Sequence, residues 1–361
     1  MEKVISSFRD HTMGDVMKAR TYLLLAIAGM LVPLAFCVEQ SKPPEQGLTE
    51  IKVSYQPSWH HTALFVIIEK GWDEKVLGAK LSASPFPSGP PQMEAFAAGE
   101  HSIAYVGAAP PLSLLSKGFD AKIVAVANTE GSSIVAAQGV EYNGPKSLEG
   151  KKLMTFPPGS IQHTVLMKWL RDNGVDVSKV EIKSGGPEEI RESLKAKAID
   201  FGFFPDPSPY VAEIEGYGRI VASSPQIVPS HPCCVVLMRG DFMREHRELA
   251  TKFLALHIIA SEYAKDPENK EEVKKILIKW LNIDERVADM FPGTTNLQTD
   301  PRNEKWLEGL DMLCEAQFQL KITKDASGNP IRLHSSDVVD SSLYEEAVNL
   351  VPKIKAELGL K

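Results

Sequence analysis

Cysteine is scarce in this chain: Cys37, Cys233, Cys234 and Cys314 are the only four in 361 residues. None stands in a Cys-x-x-Cys pair, which removes the usual zinc-module spacings. Adjacent Cys233 and Cys234 could form at best a strained vicinal disulfide, and both read as strand residues. Positive charge is also short. Lys and Arg number 40 against 47 Asp and Glu, a net charge of −7, which argues against nucleic acid or an anionic membrane surface as a partner. The apolar run at residues 22–36 has fifteen residues, short of the ~20 that a spanning helix needs. With 43% hydrophobic and 24% charged residues, the composition is that of a globular protein with a real core and shows no sign of disorder. The length has room for about two domains of roughly 150 residues.

What is present begins at the N-terminus. Lys18 and Arg20 precede the apolar run YLLLAIAGMLVPLAF, and Cys37 is followed by the polar, Pro-rich VEQSKPPEQG. This order of charged region, apolar region and tether reads as an export signal, with lipidation at Cys37 as the expected anchor. Residues 1–16 are polar, and the pattern predicts a translation start at Met17 or Met13. Residues 1–36 carry four basic and three acidic side chains, so their removal takes the charge from −7 to −8. An anionic solute would therefore need a local site to hold it against the field of the whole chain.

The stretch 86–110, FPSGPPQMEAFAAGEHSIAYVGAAP, organises the rest. Ser88-Gly89-Pro90-Pro91 starts a helix, since Pro is tolerated in a first turn. Met93, Phe96 and Ala97 then fall on one helical face. Ile103-Ala104-Tyr105-Val106 predicts a strand buried on both sides. Gly107-Ala108-Ala109-Pro110 follows at its C-terminal end, where ligands sit in open α/β sheets. About a hundred residues on, Ser184-Gly185-Gly186-Pro187, then Ile190 and Leu194 on a helical period, then residues 198–205 (AIDFGFFP) repeat turn, helix, strand and Pro-containing loop.

Strands are expected at 50–56, 80–85, 103–106 and 121–128, with helices between them. That alternation implies a largely parallel, doubly wound sheet. A second set of strands spans 133–137, 152–156, 180–183 and 218–222, and 231–238 is again strand-like. Helical periods then fill 241–264, 267–280, 284–290, 303–320 and 335–355. Helices without strands cannot form a third sheet domain, so they are expected to pack on the first lobe. The expected divisions are a signal segment at 1–36, a linker at 37–49, lobe one at 50–132 and again at 231–361, and lobe two at 133–230.

So arranged, the chain resembles the solute-binding proteins of ABC importers in the nitrate, sulfonate, taurine and bicarbonate group, with the type II periplasmic-binding-protein fold. The resemblance covers essentially the whole chain after the signal segment. It is carried by Val53-Ser54-Tyr55-Gln56-Pro57, Pro87-Ser88-Gly89, Ala104-Tyr105-Val106-Gly107-Ala108-Ala109-Pro110, Leu148-Glu149-Gly150-Lys151-Lys152, Pro158-Gly159-Ser160 and His231-Pro232-Cys233-Cys234. Ser102 departs from the Asp usual in the family before that strand, whereas Asp200 of the second copy keeps it. The resemblance implies a monomeric, extracytoplasmic receptor that captures a small oxyanion such as a sulfonate, taurine or nitrate between two lobes, membrane-anchored through a lipid or its N-terminal segment, with an ABC permease and its ATPase as partners and no enzymatic activity. Residues 55–61 (YQPSWHH) are also similar to a segment of thiamine-pyrimidine synthases. The Cys-rich motif of those enzymes is absent, Cys233-Cys234 being a thin substitute, so the alternatives are a pyrimidine-precursor or flavin-binding importer subunit and, behind it, a thiamine-pyrimidine synthase-like enzyme.

An oxyanion needs several convergent N–H or O–H donors, and helix N-termini provide both orphan N–H groups and a favourable dipole. Three such termini are expected at the cleft: Trp59, His60 and His61 behind Ser58; Gly107, Ala108 and Ala109; and Gly159, Ser160 and Gln162. Thr129 adds a hydroxyl. Asp206 could accept from an amine, and Trp59, Phe203, Phe204 and Tyr210 are candidates for the cleft wall. His60, His61, His163 and His231 read as capping or surface histidines rather than metal ligands. No cofactor is expected.

Overall fold

The computed structural model describes residues 48–360. The expected signal segment, Cys37 and most of the linker lie outside the described residues. Among the described residues, eleven strands form two sheets. They are β1 (Glu50–Tyr55), β2 (Lys80–Pro85), β3 (Ile103–Gly107), β4 (Ala121–Thr129), β5 (Ser132–Ala137) and β6 (Lys152–Thr155), then β7 (Glu181–Ser184), β8 (Phe201–Pro205), β9 (Gly218–Ser223), β10 (Pro232–Arg239) and β11 (Asn296–Leu297).

The first sheet has the order β2-β1-β3-β10-β4-β11 and the second β7-β6-β8-β5-β9. Apart from the short β11, the two orders are the same. β2 and β7 are edges, β1 and β6 pair in parallel with both neighbours, and β10 and β5 each run antiparallel between two strands of their sheet. The two similar stretches noted in the sequence contribute β3 and β8, which occupy equivalent places. Each antiparallel strand is the first strand after a crossing between the sheets. A chain arriving from the other lobe enters at the C-terminal edge of the parallel strands, so it has to run against them.

The central strands are apolar because both faces are covered. Every residue of β3 is buried, as is β10 from Pro232 to Met238. Helix Arg247–Lys265 packs on this sheet and is pinned by polar contacts: Tyr105 Oη lies 2.9 Å from His257 Nδ1, whose Nε2 lies 2.7 Å from the Val126 carbonyl. Trp280 of helix Lys270–Leu281 stacks on Phe65 at 4.6 Å. Phe203 and Phe204 are both fully buried core residues of lobe two rather than cleft wall.

The C-terminal helices do more than cover lobe one. Helix Glu304–Gln319 also reaches lobe two: Gln317 Nε2 donates to Thr164 Oγ1 at 2.9 Å, and Arg171 donates to Gln319 at 2.8 Å. The expected helix at 241–264 divides at His246 into Gly240–Glu245 and Arg247–Lys265. The two crossings are tied together, since Glu130 N donates to the His231 carbonyl (3.1 Å) and Ser230 N to Glu130 Oε1 (2.6 Å).

Candidate functional site

β1 ends at Tyr55, and the chain turns through Pro57 into the short turn Trp59–His61. Ser58 caps that turn by accepting from His60 N, and its hydroxyl donates to the Asp206 carbonyl of the opposite lobe at 2.6 Å. This turn therefore places Trp59 and His60 at the junction of the lobes. Trp59 is fully buried, with ring centroids 5.6 Å from Tyr210 and 6.0 Å from Phe291. His60 is 1% exposed.

Two cysteines face the His60 ring. Its Nδ1 lies 3.6 Å from Cys233 Sγ and 3.7 Å from Cys234 Sγ, and the sulfurs are 3.9 Å apart. Successive strand residues ordinarily point to opposite faces. Here β10 slips register against β4 on both sides of Cys234, and such an irregularity re-aims side chains. On the far side the ring lies against Gly131, where a Cβ would come within 2.2 Å of Nε2.

The junction holds polar atoms without a protein partner: Trp59 Nε1, His60 Nε2 and Asp206 Oδ1. Burial pushes the Asp206 carboxyl up to about 7, partly offset by His60 and by Trp59, whose Nε1 faces the carboxyl without forming a well-aligned hydrogen bond. Burial alone disfavours the His60 imidazolium, but Cys233 and Asp206 outweigh it and hold the ring above its ordinary range. The hydrogen bond with Cys234, followed by burial, pushes the Cys233 thiol up to about 12. His61 turns the other way, its Nδ1 2.9 Å from the Gln56 carbonyl and its ring against Tyr105, and burial lowers it to about 3.

The expected donors are largely engaged within the protein. Ala108 N–H donates to the Cys233 carbonyl at 2.8 Å, so it is not free for a ligand. Ala109 is buried at the start of helix Ala109–Leu115. Ser160 Oγ caps helix Ile161–Asp172 by accepting from His163 N, and Gln162 Nε2 donates to Ser132 Oγ at 3.3 Å. Thr129 Oγ1 accepts from Asn296 Nδ2 at 2.6 Å, and the Gly159 carbonyl accepts from Gln317. Gly107 touches the opposite lobe, a Cβ there lying 2.8 Å from Ile161 Cγ2.

The lobes are thus closed on one another. Between Ser58, His60, Phe156, Gln162, Pro205 and Cys234 only about 10 Å³ remains. A cavity of about 330 Å³ opens at the crossings, where Thr129 and Asp206 meet Ser132, Tyr210, Ser224 and Asn296. Another, of about 280 Å³, has Gly159 and Pro110 in its wall. Among the described residues, neither Lys nor Arg lines the first two spaces. Cys233, Cys234, Ser132, Ser224 and Asn296 were not among the candidates. The adjacent cysteines at the head of β10 were a usable signal, whereas Asn296 arrives in the two-residue β11 with no local mark.

Two sheets of one topology, joined by two crossings and closed over a buried polar junction, define the class of two-lobed solute-binding proteins. The comparisons agree. The chain is 28% identical over 228 residues to a Brachyspira hyodysenteriae protein named as an ABC transporter periplasmic binding protein, a match that covers 59% of this chain and 65% of that relative. The nitrate-binding protein NrtA of Synechocystis PCC 6803 superposes with a TM-score of 0.72 at 15% identity, over 86% of this chain and 91% of its own. The aliphatic sulphonate binding protein SsuA of Escherichia coli gives 0.69 at 18%, over 82% and 99%. The NMT1-like family matches residues 44–278, and the chain belongs to it. These relatives are named as periplasmic binding proteins and not as enzymes.

Proposed function

We propose that this protein is the extracytoplasmic receptor of an ABC importer, exported by its N-terminal segment and anchored at Cys37, which captures a small solute between its lobes and presents the closed form to a permease and its ATPase. The observation that carries the reading is the lobe junction, where Trp59 Nε1, His60 Nε2 and Asp206 Oδ1 are buried with no well-formed hydrogen bond of their own. Buried polar atoms left unpaired cost free energy that a ligand offering the complementary groups recovers. The solute thereby binds the closed arrangement better than the open one and drives closure.

The names of the nitrate- and sulphonate-binding neighbours favour a small oxyanion, the ligand class that the three helix N-termini also suggest. The chemistry of the junction favours a different class. With no Lys or Arg in the lining and a carboxyl facing inward, the cationic help a bare anion finds there is the His60 ring, which Asp206 and Cys233 already hold. A neutral nitrogen heterocycle such as a pyrimidine presents both donors and acceptors, and the cavity of about 330 Å³ offers it Asp206 and the Tyr210 ring. A thermal-shift screen over sulfonates, taurine, nitrate, bicarbonate, pyrimidines and flavin tests this. A ligand at a hundred times its Kd adds about 2.7 kcal/mol, so a pyrimidine is expected to raise Tm and to lose its effect in Asp206→Asn. Stabilisation by the oxyanions alone would overturn the heterocycle assignment, and no stabilisation by any of the panel would overturn the receptor reading for these solutes.

A further inference from the structure

We propose that His60, Cys233 and Cys234 form a buried binding site for a zinc ion, whose fourth coordination position faces the space between the lobes. The three ligand atoms all lie within 4.8 Å of one another, and their spacing is that of three corners of a tetrahedron. With Zn–S near 2.3 Å and Zn–N near 2.0–2.1 Å, tetrahedral angles require sulfurs about 3.8 Å apart and each sulfur about 3.6 Å from the nitrogen. The structure has 3.9 Å between the sulfurs and 3.6 and 3.7 Å to His60 Nδ1. The register slip around Cys234 that turns both sulfurs to one side of β10 produces the convergence.

The donor set selects the ion. Thiolates with an imidazole suit soft or borderline ions and reject Mg²⁺ and Ca²⁺, which take oxygen ligands. Burial then separates the remaining candidates by charge. Two thiolates, a neutral imidazole and Zn²⁺ sum to zero, whereas Cu⁺ would leave a net negative centre in a site where an uncompensated charge is costly. Cys234 and His60 also line the cavity of about 10 Å³ between the lobes, together with Ser58 and Gln162. That is room for about one water molecule, so a water or a donor atom of a solute completes the tetrahedron. Gly131, against Nε2 of His60, fixes the ring so that Nδ1 points at the sulfurs.

The site does not depend on what the receptor transports, and it is tested without a solute. Full-length chain carrying Cys37→Ser is reduced, stripped with chelator and titrated with Co²⁺ as an optical probe. The expected result is one Co²⁺ per chain, with thiolate-to-cobalt charge-transfer absorption and the intense visible bands of a tetrahedral centre, bleached by one equivalent of Zn²⁺. Cys233→Ser and Cys234→Ser are expected to weaken Co²⁺ binding at least tenfold, and His60→Ala to change the visible bands, while Cys314→Ser, far from the cluster in sequence and buried in its own helix, leaves the spectrum unchanged. Melting in chelator shows that each variant is folded, and Zn²⁺ is expected to raise Tm of the parent and of Cys314→Ser but not of the Cys233→Ser/Cys234→Ser variant. Absence of the charge-transfer band in the reduced parent overturns the proposal by itself, and so does its persistence in the Cys233→Ser/Cys234→Ser variant.

Discussion

Gly107→Ala isolates closure of the lobes from everything else the chain does. The added Cβ would stand 2.8 Å from Ile161 Cγ2 and 3.3 Å from Ile161 Cβ, against an ordinary carbon contact of about 3.5–4.0 Å. Gly107 is not in the left-handed region, so alanine fits its backbone and the open form accepts the methyl freely. Only the closed form is penalised, because Ile161 belongs to lobe two and meets Gly107 when the lobes come together. Overpacking of this kind costs about 1–3 kcal/mol, which corresponds to about a 5- to 150-fold loss of apparent solute affinity. Calorimetry with a stabilising solute measures the loss, and small-angle scattering with and without solute reads the closure. Ile161→Ala in the same chain removes Cγ2 and is expected to restore most of the affinity. Unchanged affinity in a folded Gly107→Ala, or a failure of Ile161→Ala to rescue it, would show that the two residues do not gate closure.

Two further predictions concern the junction itself. The Asp206 carboxyl is lifted from 3.8 to about 7 by burial, so the folded state holds the proton more tightly than the unfolded one. The resulting penalty is absent below pH ~4, grows as pH rises through the window up to about 7, and is full above it, on the order of 4 kcal/mol. Asp206→Asn is therefore expected to raise the urea unfolding free energy by up to about that amount at pH 8 and by nearly nothing at pH 4; equal differences at both pH values would refute the burial argument. Gly131 has φ +81° and a Cβ position 2.2 Å from His60 Nε2, whereas Gly139 has φ +88° with nothing within 4 Å. Gly139→Ala should cost only the backbone strain, about 1–2 kcal/mol, and Gly131→Ala clearly more, because a buried ring has to move. Equal shifts of the urea midpoint would mean that Gly131 does not position His60.

The fold was legible because it is written locally. Runs such as IAYVG and PCCVVLM can only be strands covered on both faces, the Gly and Pro loops mark the ends of parallel strands, and helical periods recur between them. Even the return of the chain to the first lobe followed from a strand standing before strand-free helices. The loops at Trp59–His61, at Gly107 and at Gly159–Ser160 lie at the lobe junction or its margins, because the C-terminal ends of parallel strands are where helices begin. What each residue does there was not local. Ala108 looked like a free donor until a strand entering 125 positions later supplied the Cys233 carbonyl. The cysteines looked like core until a register slip in that strand turned both sulfurs toward His60, 173 residues away in sequence. Asn296, which holds Thr129, belongs to a two-residue strand that no pattern announces. Periodicity and turn chemistry act between neighbours and determine which elements form. Which side chains meet at the junction depends on pairing register and lobe closure, contacts of high sequence separation that exist only once both sheets are assembled.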